Sequence, residues 1–214
     1  MKYSLAPEFT ACFTGHRNLR RTELPEICSR VACAIDQAYK SGYRNFLCGG
    51  ARGFDTLAAL EVIKFRELHP DIRLVIAVPC ATQADRWTDE DRKIWQSVCE
   101  KADEVVVLSE SYYNGCMQAR NRYMVDASSL CLCYLVHFEG GTWSTVRYAL
   151  HRNLILINLA MPDEPVLTMR EKQWSCISTF RSVSENAHTV HLFLSPHQKK
   201  KKMRMSDRCF AKRN

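Results

Sequence analysis

The sequence predicts a doubly wound α/β domain, a mainly parallel sheet of about six strands with helices on both faces. Three observations predict it. Short apolar, β-prone runs alternate with stretches of helical period from Phe9 to Leu159. One run, Arg73 to Val78 (R-L-V-I-A-V), is apolar on both faces, as a strand covered by helices on each side must be. Polar and glycine-rich loops follow strand after strand, and a parallel sheet would gather all of them on one rim, at the carboxyl ends.

In order along the chain, Phe9 to Phe13 reads as the first strand. It ends in Thr14-Gly15-His16-Arg17, a turn carrying a hydroxyl, an imidazole and a guanidinium. A helix is expected from Thr22, because Leu24, Ile27, Val31, Ile35 and Ala38 recur at helical spacing. Thr22 suits its N-cap and Gly42 its end. Arg44 to Cys48 is the second strand, and Thr56 to Leu68 the second helix. Between them lies Gly49-Gly50-Ala51-Arg52-Gly53-Phe54-Asp55, where three glycines permit positive φ or close approach to another group. Pro79 ends the third strand, and the loop Cys80 to Trp87 holds Gln83, Asp85, Arg86 and Trp87. Thr88 reads as an N-cap, followed by Asp89, Glu90 and Asp91, where the helix dipole favours acids. That helix runs to Lys101, and Glu104 to Leu108 is the fourth strand. After the turn Tyr112-Tyr113-Asn114-Gly115, residues Cys116 to Ala127 have helical character. Leu130 to Val136 is the fifth strand, with Cys131 and Cys133 on one face. Gly140-Gly141-Thr142 opens a helix over Ser144 to Arg152, and Leu154 to Leu159 is the sixth strand.

After Met161 the alternation stops. Residues 1–161 are expected to form the folded domain, and residues 162–214 a basic, variable tail lacking regular structure for part of its length. His188 to Leu194 could add one edge strand. The net charge of +7 belongs to the tail: residues 161–214 carry +6 and residues 1–160 only +1. A nearly neutral body speaks against a nucleic-acid-binding fold. The run Lys199 to Lys202 is a solvated tail or a weak, salt-sensitive nucleic-acid contact.

The eleven cysteines lie mostly inside apolar patterns, and none forms a C-x-x-C pair. They read as reduced, buried thiols rather than as disulfides or a zinc site. His188-x-x-His191 lacks a third ligand, so no metal is expected. Neither a signal peptide nor an apolar run long enough to span a membrane is visible. The expected location is the cytoplasm.

A glycine-rich turn entering a helix N-terminus suits an anion, usually phosphate, because free N–H groups and the positive dipole end face it. Two such elements, at Gly49 and at Gly140, suggest a ligand with a phosphate and a second polar moiety. The common phosphate motifs are absent: there is no G-x-G-x-x-G after the first strand, no G-x-x-x-x-G-K-[ST], and no G-x-S-x-G elbow.

The set T-G-H-R (14–17), G-G-A-R-G-F-D (49–55), V-P-C-A-T-Q-A-D-R-W (78–87), Y-Y-N-G-C-M-Q-A-R-N-R-Y-M-V-D (112–126) and G-G-T-W-S-T-V-R-Y-A (140–149) resembles the YpsA-like branch of the SLOG superfamily. That superfamily joins the Smf/DprA DNA-processing proteins and the LOG phosphoribohydrolases. The resemblance spans residues 8–159 and implies a Rossmann-like domain recognising nucleotides or derivatives such as NAD or ADP-ribose. LOG enzymes cleave the N-glycosidic bond of nucleoside monophosphates with an Arg in M-H-x-R-K-x-x-M and a Glu in P-G-G-x-G-T-x-x-E. By this resemblance Arg120, between Met117 and Met124, matches the arginine, whereas the glutamate position falls on Arg147 or Tyr148. Neither supplies the carboxylate that glycoside cleavage needs.

The expected ligand-binding set is therefore Thr14, Gly15, His16, Arg17, Gly49, Gly50, Ala51, Gly53, Asp55, Gln83, Arg86, Arg120, Asn121, Arg122, Gly140, Gly141, Thr142 and Thr145. Arg17, Arg86, Arg120 and Arg122 could clamp phosphate or ribose, or sit in surface ion pairs. Asp55 could hold a ribose hydroxyl or cap its helix. His16 could be a general acid or a neutral loop residue. Trp87 and Tyr112 could stack on a base or simply pack. Arg120, His16 and Asp55 are the catalytic candidates. The leading expectation is binding or sensing of a nucleotide-like small molecule, with no cofactor required and a homodimer left open. The alternatives are N-glycosidic hydrolysis and single-stranded DNA binding of the Smf/DprA kind.

Overall fold

The sheet begins in its middle. In the computed structural model, which describes residues 5–161, 167–170 and 173–176, β1 (Thr10–Gly15) is buried from end to end but for its last residue. The chain then moves outward through α1 (Leu24–Lys40), β2 (Asn45–Cys48), α2 (Phe54–Arg66), β3 (Arg73–Val78), α3 (Asp89–Lys101) and the edge strand β4 (Glu104–Val107). It returns through α4 (Cys116–Asp126) to lay β5 (Leu130–Tyr134) on the free side of β1, and ends the sheet with α5 (Gly140–His151) and β6 (Ile155–Asn158). The resulting order is β4-β3-β2-β1-β5-β6, and every neighbouring pair is parallel. A Rossmann-like sheet of six strands results, and its direction of travel reverses between β1 and β5. Loops leaving those two strands run apart and open a crevice at their carboxyl ends.

Alternate residues of each strand feed two cores. On one side Phe13, Phe46 and Ile76 pack with Ile27 and Ile35 of α1 and Phe54 and Val62 of α2. On the other side Cys12, Leu47, Val75, Cys131 and Cys133 pack with Met124 and Val125 of α4 and Val146 and Leu150 of α5. The cysteines act here as small apolar residues. Nine cysteines among the described residues are free. Burial pushes the Cys48 and Cys133 thiols upward, so they stay protonated. No helix among the described residues is long and apolar enough to cross a membrane.

The six strands and five helices expected up to Leu159 are all present, and the structure departs from expectation at four places. Thr14 and Gly15 belong to β1 and pair with Cys133 and Tyr134, so the turn starts at His16. Thr22 does not cap α1. A 3-10 turn (Arg21–Glu23) leads in, Glu23 takes the cap position without a side-chain bond, and Pro25 fills the first turn, where its missing N–H is not needed. The pair Gly140-Gly141 starts α5 instead of preceding it. Beyond Met161, β7 (Leu167–Arg170) and β8 (Gln173–Cys176) pair antiparallel. No helical or turn signal announces that pair, because Glu171-Lys172 between them is not hairpin chemistry. His188 to Leu194 and Lys199 to Lys202 lie outside the described residues. Thr88 caps α3 as expected, accepting from the Asp91 N–H at 3.2 Å.

The rim loops are locked to each other at Gly53. Its φ is +79°, and a Cβ there would come within 2.1 Å of the Arg17 carbonyl oxygen. The next residue, Phe54, donates its N–H to the His16 carbonyl at 3.1 Å. Gly53→Ala is expected to destabilise by about 2 kcal/mol or more, from the unfavourable φ and the clash together. Urea denaturation measures it; an unchanged midpoint would contradict this packing.

Candidate functional site

The crevice between β1 and β5 holds a cavity of about 540 Å³. Residues 14–17 line one wall; Ala51 and Asp55 lie behind; Met117, Arg120 and Asn121 come from α4; His137, Glu139 and Gly140 to Thr142 close the far side.

Arg120 is the centre of this arrangement. It is only 5% exposed, yet it lines the cavity. Its Nη1 donates to the Gly49 carbonyl, and its Nε donates to Asn121 Oδ1 at 2.7 Å. The Asp55 carboxylate stands 3.9 Å from Nη1, an ion pair without a hydrogen bond. Asn121 is held in turn, donating Nδ2 to Thr145 Oγ1 at 2.7 Å, and Thr145 donates to the Gly141 carbonyl at 2.9 Å. The guanidinium is thus fixed from three sides, and its Nη2 makes no hydrogen bond within the described residues. A pre-set donor costs little ordering entropy when an anion arrives.

Gly49 exists for this arginine. A Cβ on it would lie 2.0 Å from Arg120 Nη1 and 2.7 Å from Asp55 Oδ2. Gly50 is buried alongside, its carbonyl accepting from Gln83 Nε2 at 2.7 Å. Asp55 Oδ2 accepts the Ala51 N–H at 3.4 Å, so it braces the loop rather than capping α2. Burial raises the Asp55 carboxyl to about 6, outweighing the pull of Arg120, the Ala51 N–H and Arg17 in the other direction. Burial also presses the Arg120 guanidinium downward, against the attraction of Asp55, but an arginine keeps its charge in protein.

His16 ties two loops. Its Nε2 accepts from the N–H groups of Val136 at 3.0 Å and His137 at 3.2 Å, which assigns the proton to Nδ1. Burial and the neighbouring His137 lower its pKa, against Glu139, which raises it. The neutral imidazole is therefore a clamp across the crevice, and Nε2 is not free for acid–base work. At the far wall, α5 begins at Gly140 without a side-chain cap, so the N–H groups of its first turn have no side-chain partner.

The structure brings Thr14, Gly15, His16, Arg17, Ala51, Asp55, Arg120, Asn121, Gly140, Gly141 and Thr142 together around one cavity. Others of the expected set stand elsewhere. Gly49, Gly50 and Gln83 are buried behind Arg120 and support it without reaching the cavity wall. Gly53 faces a neighbouring pocket between α1 and α2, which Arg17 also lines. Arg86 is exposed and lines none of these pockets. Arg122 and Thr145 line a groove between α4 and α5, as do Arg147 and Tyr148. Trp87 packs edge-on against Trp95, 6.2 Å between ring centres, and Tyr112 is exposed. Four cavity residues were not in the expected set: Phe13, Met117, His137 and Glu139. Met117 sits one helical turn before Arg120, and His137 and Glu139 lie within three residues of Gly140, positions that could have flagged them; Phe13 reads simply as a buried strand residue. Among the described residues no group of His, Cys, Asp and Glu could hold a metal ion.

The chain is similar to several known proteins. A UPF0398 protein of Halalkalibacterium halodurans is 34% identical over 91 residues, covering 42% of this chain and 48% of its own length. The SPbeta prophage-derived protein YoqJ of Bacillus subtilis is 27% identical over 122 residues, covering 51% of this chain and 71% of its own. This chain thus spans about half the length of the first of these relatives. Among solved structures, DNA processing protein A from Helicobacter pylori aligns with a TM-score of 0.49 and 17% identity, over 68% of this chain and 62% of its own. The model of the YspA SLOG family matches residues 13–152, a span that contains every residue lining the switch-point cavity. The chain belongs to the YspA SLOG family, in the YpsA-like branch of the SLOG superfamily.

Proposed function

We propose that the protein binds a nucleotide-like small molecule, with its phosphate between Arg120 and the N-terminus of α5. The observation that carries this reading is the Arg120 arrangement: a buried guanidinium fixed by Gly49, Asp55 and Asn121, with Nη2 unused beside an uncapped helix start. Arg17, exposed and without an ion pair among the described residues, is within the lining and can close over the ligand. The cavity volume falls in the range of small-ligand sites, roughly 300–1,000 Å³. No cofactor is needed for such binding, and nine free cysteines fit a reducing compartment such as the cytoplasm. Calorimetric titration with AMP, NAD and ADP-ribose tests the reading: saturable binding of at least one supports it, and none for the whole panel refutes it.

Asp55 gives a second reading its one foothold. A buried carboxyl with a raised pKa lines the cavity beside Arg120, where a glycosidase would want one. Its carboxylate is occupied by the Ala51 N–H and the guanidinium, however, and the positions of Arg147 and Tyr148 face a different groove. Incubation with AMP is expected to release no adenine above the blank. Release that disappears in Asp55→Asn would make the protein a hydrolase.

A further inference from the structure

The groove between α4 and α5 is larger than the switch-point cavity, about 680 Å³, and opens from it: Met117, Asn121, Gly140 and Gly141 line both. Asn121 forms the ridge between them, held by Arg120 on one side and Thr145 on the other. Beyond that ridge the lining contains Arg122, Arg147 and His151 and no carboxylate. The adjacent acid, Asp126, is already engaged. It accepts from the Tyr148 hydroxyl at 2.9 Å and pairs with Arg152 at 2.9 Å. Arg122 lies over the Tyr148 ring, 5.7 Å from its centre, and has no acidic partner; Arg147 has neither an ion pair nor a hydrogen bond among the described residues. The pocket between α1 and α2 differs, because all its charges but Arg17 are paired within it: Lys64 with Glu61 at 2.7 Å and Arg52 with Asp91 at 3.0 Å. Two uncompensated guanidinium groups beside an anion cavity form an attractive field for a second negative group.

We propose that this groove receives a second phosphate of the same ligand, so that the preferred ligand class is a dinucleotide rather than a mononucleotide. Its 5′-phosphate lies at Arg120, the chain crosses the Asn121 ridge, and the linking phosphate meets Arg122 and Arg147. This inference rests on the nucleotide-binding reading above, and one experiment separates the two.

Calorimetry compares AMP with the phosphodiester dinucleotide pApA, on the parent, Arg147→Glu and Arg147→Lys. The parent is expected to bind pApA at least tenfold more tightly than AMP. Arg147→Glu removes that advantage and leaves AMP binding within about twofold, whereas Arg147→Lys, which keeps the charge, retains most of it. Arg147 is exposed, so these variants fold; an unchanged melting temperature confirms it. Equal parent affinities for the two probes overturn this inference and leave mononucleotide binding standing; failure of both probes to bind overturns both. Tight binding of a long oligothymidylate with pApA no better than AMP also overturns it, and assigns the groove to nucleic acid. Loss of a dimer in Arg147→Glu without any change in pApA affinity overturns it as well, and assigns the groove to subunit contact.

Discussion

Arg120→Ala is expected to weaken nucleotide binding by roughly thirty- to hundredfold, the worth of a charge-assisted hydrogen bond to phosphate of about 2–3 kcal/mol. The same change should lower stability at neutral pH by about 3–5 kcal/mol, since it leaves a buried carboxylate without its counter-charge. Two partners lose their purpose with it: the Gly49 carbonyl and Asn121 Oδ1 are left without the donor they now share. The stability loss should shrink near pH 5, because Asp55 alone in an apolar setting takes up a proton. Parallel denaturation at pH 5 and pH 8 checks this. A stability loss that is equal at both, or absent, would mean that Asp55 and Arg120 do not depend on each other.

Asp55 should itself set a pH dependence of the opposite kind to most surface carboxylates. Its folded pKa is raised to about 6 from an ordinary 3.8, so the fold favours the protonated form. That favourable contribution is complete below about pH 4 and is lost as the pH rises through about 6. That rise corresponds to about 3 kcal/mol over the full window. The side chain is almost wholly buried, which keeps solvent from screening the effect. Asp55→Asn does not titrate. The unfolding free energy of the parent minus that of Asp55→Asn should therefore fall by about 2 kcal/mol from pH 4.5 to pH 7.5. Groups common to both proteins cancel in that difference. A flat or rising difference would show that the ion pair with Arg120, not burial, governs the carboxyl.

The sheet was legible because its strands are short continuous apolar runs, and R-L-V-I-A-V at Arg73 to Val78 can only be covered on both faces. The rim was legible for the same reason: a parallel order forces polar loops to one edge. What each loop residue does was less so. Three glycines after β2 signal a close approach, but a local pattern does not name the group that approaches. At Gly49 it is the guanidinium of Arg120, 71 residues later, and at Gly53 it is the backbone of Arg17. His16 looked like a candidate acid because its partners, the N–H groups of Val136 and His137, are about 120 residues away in the chain. The resemblance to LOG enzymes placed their glutamate position on Arg147 or Tyr148. That these positions face a separate basic groove required the packing of α4 on α5.

The proposed site holds an anion between Arg120 and the start of α5. Gly141 offers the cleanest access to it. It is exposed, and a Cβ there meets open space. Gly141→Asp puts a carboxylate in the first turn of α5, where the dipole favours it by about 0.3–1 kcal/mol. The variant should be at least as stable as the parent, yet repel the ligand. The deciding measurement is a calorimetric titration of parent and Gly141→Asp with whichever of AMP, NAD and ADP-ribose binds the parent. At least a thirtyfold loss of affinity is expected, with no loss in melting temperature. Equal affinity in the two proteins would place the ligand elsewhere and contradict it.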